Sequence, residues 1–112
     1  MNVLIVEDEA VAARRLERLT HRILGENAAR IAVAHEIAAA RRYLAENLFD
    51  VVLLDLKLAG EEGFDLMSEG VGLVPVIVVS AHPDRAIDAF EHAVLDFVPK
   101  PVVRSEEHTS EL

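Results

Sequence analysis

Val51-Val52-Leu53-Leu54-Asp55 is the stretch that decides the fold: four apolar residues in a row that end on a carboxylate. So short and unbroken an apolar run suits a strand covered on both faces, as in a parallel sheet flanked by helices. Working outward, apolar runs recur at Met1 to Val6, Ile31 to Ala34, Pro75 to Val79 and Leu95 to Val98, the first and last interrupted by Asn2 and Asp96. Helical spacing fills the gaps between them. Ala12, Leu16, Leu19 and Ile23 mark one face of a helix from Ala10 to Leu24, with Arg14, Arg15, Glu17 and Arg18 on the other. Gly25 and Asn27 stop that helix, and Ile37, Ala40 and Leu44 mark the next, from Glu36 to Asn47. After Gly60 and Gly63 a short helical stretch runs from Phe64 to Glu69, and Pro83 opens another, with Ile87, Phe90 and Val94 expected to face inward. Strands alternating with single helices give an α/β fold: a parallel five-stranded sheet with right-handed crossovers and helices on both faces.

The chain has 112 residues, 52% of them hydrophobic, which is enough for one domain and too few for two. There is no cysteine, so disulfides and thiolate metal sites are excluded. With 20 acidic against 11 basic side chains the net charge is −9, and such a surface repels phosphate backbones, so this segment is not expected to bind nucleic acid directly. No apolar run approaches the roughly 20 residues needed to cross a bilayer. The amino terminus enters Val3, Leu4, Ile5 and Val6 with no basic segment ahead of them, and a cytoplasmic location is expected.

In open α/β sheets, ligands bind where loops leave the carboxyl ends of the strands. Here the first strand ends in Glu7 and Asp8, the third in Asp55, the fourth in Ser80, and the fifth near Lys100. If the strands are parallel, these side chains converge on one crevice. Carboxylates gathered in this way repel one another unless a cation lies among them, and Mg²⁺, a hard ion that prefers oxygen ligands, answers that need. Lys100 adds a positive charge for an incoming phosphoryl oxygen and Ser80 a hydroxyl donor. Phosphoryl transfer asks chiefly for an oxygen nucleophile, charge neutralisation and positioning. Asp55, at the end of a central strand, is the best nucleophile. Each piece alone has an ordinary reading: Asp8 or Glu9 as a helix cap, Asp55 as a strand-end carboxylate, Ser80 as a cap, Lys100 as a solvated charge. Their joint occurrence at successive strand ends carries the chemical reading.

The segments Val6-Glu7-Asp8-Glu9, Leu53-Leu54-Asp55-Leu56, Val79-Ser80-Ala81 and Phe97-Val98-Pro99-Lys100-Pro101 resemble the signature blocks of response-regulator receiver domains, from residue 2 to about 103. The resemblance implies a flavodoxin-like doubly wound sheet of strand order 2-1-3-4-5. It also implies a two-component signalling role in which a sensor histidine kinase or phosphotransfer protein phosphorylates Asp55 with Mg²⁺ bound beside it. By the same resemblance Asp8 is a direct metal ligand, Glu7 acts on the metal through water, and the carbonyl of Lys57 completes the protein's share of the shell. Ser80 matches the switch hydroxyl, Ala81 the small residue that leaves it access, Lys100 the phosphate-binding lysine and Phe97 the aromatic that turns inward. Lys100-Pro101 matches a peptide bond usually found cis, and Gly63 the glycine of the loop after the acceptor. The implied output is a switched protein interface, with a homodimer through the face of the fourth helix and fifth strand as one form of it.

Ala59 stands where this family often has proline, and the segment from Gly63 to Pro75 is about a helical turn shorter than usual, which puts the third helix in question. Ala86-Ile87-Asp88-Ala89-Phe90-Glu91 followed by Leu95-Asp96-Phe97 is similar to receivers that carry a LytTR-type DNA-binding output domain. A receiver continues into a fifth amphipathic helix, yet Arg104 to Leu112 reads RSEEHTSEL, with one apolar residue and no period. This peptide can be encoded by AGATCGGAAGAGCACACGTCTGAACTC, which resembles the start of a common sequencing adapter read in frame. The expectation is therefore a receiver over 1–103, truncated before its last helix, and a non-native or disordered tail over 104–112.

The histidines at 21, 35, 82, 92 and 108 show no metal-ligand spacing on one helix face, so zinc is not expected. A surface position is the default for each of them; His82, two residues beyond Ser80, is also a candidate to touch the phosphoryl group, while Met67, Phe64 and Phe90 read as core. The rival function is a Mg²⁺-dependent phosphotransferase or phosphatase with a D-x-D pair, but position 57 is lysine and position 10 is alanine. A receiver-like module that is never phosphorylated is a third reading, and the presence of every acceptor-site residue stands against it.

Overall fold

In the computed structural model, residues 1–67 and 74–100 are described. In chain order the elements are β1 (Asn2–Val6), α1 (Ala10–Leu24), a 3₁₀ turn (Gly25–Asn27), β2 (Arg30–Ala34), α2 (Ile37–Glu46), β3 (Val51–Leu54), β4 (Lys57–Leu58) and β5 (Glu61–Glu62). They are followed by α3 (Phe64–Met67), β6 (Val76–Ser80), a 3₁₀ turn (Pro83–Arg85), α4 (Ala86–Glu91) and β7 (Asp96–Pro99). Five strands form a parallel sheet in the order β2-β1-β3-β6-β7, the order expected for a doubly wound fold.

Alternate residues of each strand face opposite sides of the sheet. Leu4 and Val6 of β1 join Val52, Leu54 and Val78 in one core, closed by Ile37 and Ala40 of α2, with Leu66 of α3 and Ala89 of α4. Val3 and Ile5 face the other way, onto Leu16 of α1 and Val79. Because both faces are covered, all four of Val3 to Val6 are buried, which is why the strands read as unbroken apolar runs.

Three details differ from the sequence reading. In α1 the buried face runs through Ala13, Leu16 and Leu19, and Ile23 is 74% exposed. Fifteen helical residues span about 22 Å, against about 17 Å for a five-residue strand, so the last turn overruns the sheet. In α4, Ala89 is the buried residue, while Ile87 and Phe90 are 73% and 58% exposed; of the three residues expected inside, only Val94 is buried. Ile87 lies about 200° and Phe90 about 100° around the helix from Ala89, so a small shift in phase turns both to solvent.

The third difference is a hairpin. β4 and β5 pair antiparallel, Lys57 with Glu62 and Leu58 with Glu61, across the two-residue turn Ala59-Gly60. Both turn residues have positive φ, 40° and 88°, as tight hairpin turns that match the strand twist require. A proline, locked near φ −65°, cannot take the place of Ala59 here.

The expected extension of α3 to Glu69, the fifth helix, the Lys100-Pro101 peptide and the tail over 104–112 lie outside the described residues. Among the described residues no helix is long and apolar enough to cross a membrane.

Candidate functional site

Backbone hydrogen bonds continue one residue past the strand ends and fix the direction in which the polar side chains leave the sheet. The amide of Glu7 donates to the carbonyl of Ala34 (2.9 Å), that of Asp55 to Val6 (2.9 Å), and that of Lys100 to Ser80 (2.8 Å). Glu7, Asp8 and Asp55 therefore converge: each offers one carboxylate oxygen, and these oxygens lie within 4.8 Å of one another. Lys100 reaches in from the end of β7, its Nζ donating to Glu7 Oε1 and, at 3.3 Å, to Asp55 Oδ2. The amide of Lys57 donates to Asp55 Oδ1 at 3.2 Å. Asp8, Asp55, Lys57, Ala81, His82 and Lys100 line a pocket of about 350 Å³ at this end of the sheet.

Burial sets the electrostatics. Glu7 is 1% exposed, and burial pushes its carboxyl up to about 7 against the opposing hydrogen bond from Lys100. Burial also works against the charge of Lys100, but the hydrogen bond to Glu7 and the neighbouring Asp55 outweigh it and hold the ammonium above its usual range. A lysine between two acidic groups is thus the local answer to their repulsion. The donor set, three carboxylates with no sulfur or imidazole, fits a hard cation that keeps several waters, which is the chemistry of Mg²⁺. No histidine joins the acidic group among the described residues.

Four of the five strand-end side chains meet as the sequence implied. Ser80 does not line the pocket: it is still within β6, fully buried, and its Oγ accepts the amide of His82 at 3.0 Å. A residue inside a central strand is covered by its neighbours, so position at a strand end alone did not separate a wall residue from one behind the wall. The capping alternative for the first helix fails, since Glu9 occupies the N-cap position without a side-chain cap bond and its amide is taken by Glu7 Oε2 at 3.3 Å. Phe97 is half-buried and packs against the core on the α2 side, while Ala81 is exposed beside the pocket. The sequence reading gave Lys57 a role through its carbonyl and missed its amide, because only the tight turn after Asp55 brings that amide back to the carboxylate.

Comparison with known proteins matches residues 3–110 to the family described as "Response regulator receiver domain". The chain belongs to the response regulator receiver domain family. The receiver is 32% identical over 104 residues to "Sensory transduction protein LytR" of Streptococcus mutans, covering 90% of this chain and 43% of the relative. It is 34% identical over 111 residues to "Positive alginate biosynthesis regulatory protein" of Pseudomonas aeruginosa, covering 96% and 44%. It therefore spans less than half the length of these relatives. Among solved structures it is similar to the non-phosphorylated HemR receiver domain from Leptospira biflexa, with a TM-score of 0.75 and 29% identity over 96% of this chain and 88% of that one. The response regulator TrrA from Thermotoga maritima, solved in complex with Mg²⁺ and BeF, shares the fold at a TM-score of 0.73 and 21% identity, over 98% and 95%. The five-stranded fold and the membership of the receiver family expected from the sequence hold.

Proposed function

We propose that this receiver accepts a phosphoryl group on Asp55 from a sensor histidine kinase or phosphotransfer protein, with Mg²⁺ held by Asp8, Asp55 and the carbonyl of Lys57, and with Glu7 acting on the metal through water. The observation that carries this reading is the convergence of Glu7, Asp8 and Asp55 within 4.8 Å, with the ammonium of Lys100 on two of the three. A carboxylate oxygen of Asp55 attacks phosphorus in line, the bond from phosphorus to the donor breaks, and the donor leaves with the electron pair. When bound, Mg²⁺ supplies charge neutralisation to the transferring oxygens. Lys100 exchanges part of its contact with Asp55 for a phosphoryl oxygen. The new group adds about 1.5 to 2 negative charges, and these draw the hydroxyl of Ser80 out of its bond with the amide of His82, past the small side chain of Ala81. Phe97 turns further inward as Ser80 leaves its place, and the outer face of α4 and β7 changes.

On this reading the chain catalyses only its own phosphorylation and dephosphorylation, works in the cytoplasm, and switches a protein interface, a homodimer through α4 and β7 among the forms that takes. Similarity to relatives named LytR supports a transcription-regulating output domain of the LytTR type beyond this segment.

Incubation with a small phosphodonor and Mg²⁺ tests the proposal. The expected result is one phosphoryl adduct per chain, base-labile, absent in Asp55→Asn and abolished by chelating the metal. Steady multiple turnover of the donor with no adduct would favour a phosphatase instead.

A further inference from the structure

The hairpin after the acceptor brings together side chains that the site itself does not use. Adjacent residues of a strand point to opposite sides, and in β5 this sends Glu61 and Glu62 to different helices. Glu61 Oε1 accepts the amide of Ile37 at the start of α2 (3.4 Å). Glu62 Oε1 accepts Nη2 of Arg85 at 2.8 Å, where the 3₁₀ turn hands over to α4. The guanidinium of Arg85 also lies 5.2 Å from the ring centre of Phe64. That ring stacks on His92, at the other end of α4, with centres 4.1 Å apart and planes 5° from parallel. Both ends of α4 are thus held to one short segment, Glu62 to Phe64.

We infer that the Glu62–Arg85 ion pair, backed by Phe64 and His92, is a tie that couples the loop behind Asp55 to α4, so that occupancy of the acceptor site shifts the exposed face of that helix. The inference rests on the proposed acceptor role of Asp55.

Two routes reach Arg85. From the acceptor, the Asp55 carboxylate takes the amide of Lys57, and Lys57 faces Glu62 across the hairpin. From the hydroxyl, Ser80 Oγ takes the amide of His82, whose carbonyl takes the amide of Arg85 at 3.0 Å. Any displacement of the Lys57 amide or of the Ser80 hydroxyl therefore pulls on the same residue. Arg85 and Glu62 side chains are 26% and 44% exposed, and a pair that open to water is weak enough to be broken by a ligand and strong enough to bias a six-residue helix. Linkage makes the effect reciprocal: a partner that moves α4 through Ile87 and Phe90 changes affinity at Asp55 by the same factor.

Amide hydrogen exchange of residues 86–91 in the 112-residue chain, with and without Mg²⁺ and beryllofluoride, tests the tie. Without ligand, Glu62→Gln and Arg85→Gln should speed exchange in α4 about fivefold, the effect of a weak pair lost. Arg85→Lys, which keeps the charge but not the planar fork, should fall between. The exchanged pair Glu62→Arg with Arg85→Glu should return toward the native rate. Beryllofluoride should still bind each single variant, yet alter exchange at 86–91 by less than half as much as in the native chain. Native exchange in α4 with a full response in both glutamine variants would overturn the tie. So would loss of beryllofluoride binding in Glu62→Gln, which would put that residue in the site itself. Failure of the native chain to bind beryllofluoride would overturn the acceptor reading, and the transmission built on it.

Discussion

Gly63 has no room for a side chain. Its amide donates to the carbonyl of Leu56 at 2.7 Å, and a Cβ there would come within 2.5 Å of the carbonyl oxygen of Asp55 and 2.7 Å of the Cα of Leu56. These are backbone atoms at the end of β3 and cannot step aside without moving the acceptor. Gly63→Ala should therefore cost about 1 to 3 kcal/mol, the usual range for overpacking, visible as a lower urea midpoint, and should slow adduct formation on Asp55; an unchanged midpoint would mean the loop relaxes. Asp8→Asn should remove one carboxylate from the metal group while leaving the fold intact, since Asp8 is neither core nor cap. A Mg²⁺ titration should then show at least tenfold weaker binding, the about 1.4 kcal/mol of one lost charged ligand contact. At this scale Glu7, Asp8, Asp55 and Lys100 were legible because strand ends in a parallel sheet share one side. The burial of Ser80 was not, because it depends on what covers β6.

The α4 helix shows why short elements resist reading. Six residues contain fewer than two turns, so the pattern Ile87, Phe90, Val94 fits several phases, and the tie at Arg85 and His92 selects the one that buries Ala89. The β4–β5 hairpin was equally hidden: two-residue strands leave no alternation to detect, and the only local signal was a glycine after Ala59. The turn leaving α4 is strained, since Ala93 adopts φ 57°. Ala93→Gly should relieve this and raise stability by about 0.5 to 1 kcal/mol, read as a higher urea midpoint with an unchanged slope. A loss of stability would show that the entropy of the added glycine outweighs the relief.

For the whole molecule the topology was legible, because five apolar runs separated by helical periods admit few right-handed arrangements. The two faces of the sheet are covered unequally. One core draws on α2, α3 and α4; on the other face, among the described residues, Val3, Ile5, Leu16 and Val79 form the buried cluster, while Ile31, Val33, Val51, Leu53 and Val98 beside it are half-covered. Each half-covered side chain forgoes roughly 1 kcal/mol of burial, and together they approach the lower end of a domain's total stability, about 5 kcal/mol. The 112-residue chain should melt below about 45 °C, the low end for mesophile domains; a cooperative transition above that by circular dichroism would refute the imbalance.

The proposed chemistry requires acidic groups from the ends of β1 and β3 to share a single divalent ion beside the amine of Lys100. Titration of the ¹⁵N-labelled protein with Mn²⁺, read as paramagnetic broadening of its amide signals, tests it directly. Broadening that saturates at one ion per chain, is centred on residues 7–9, 55–58 and 81–82, and is displaced by Mg²⁺ is the predicted result. Broadening centred elsewhere, or none at millimolar ion, would contradict it.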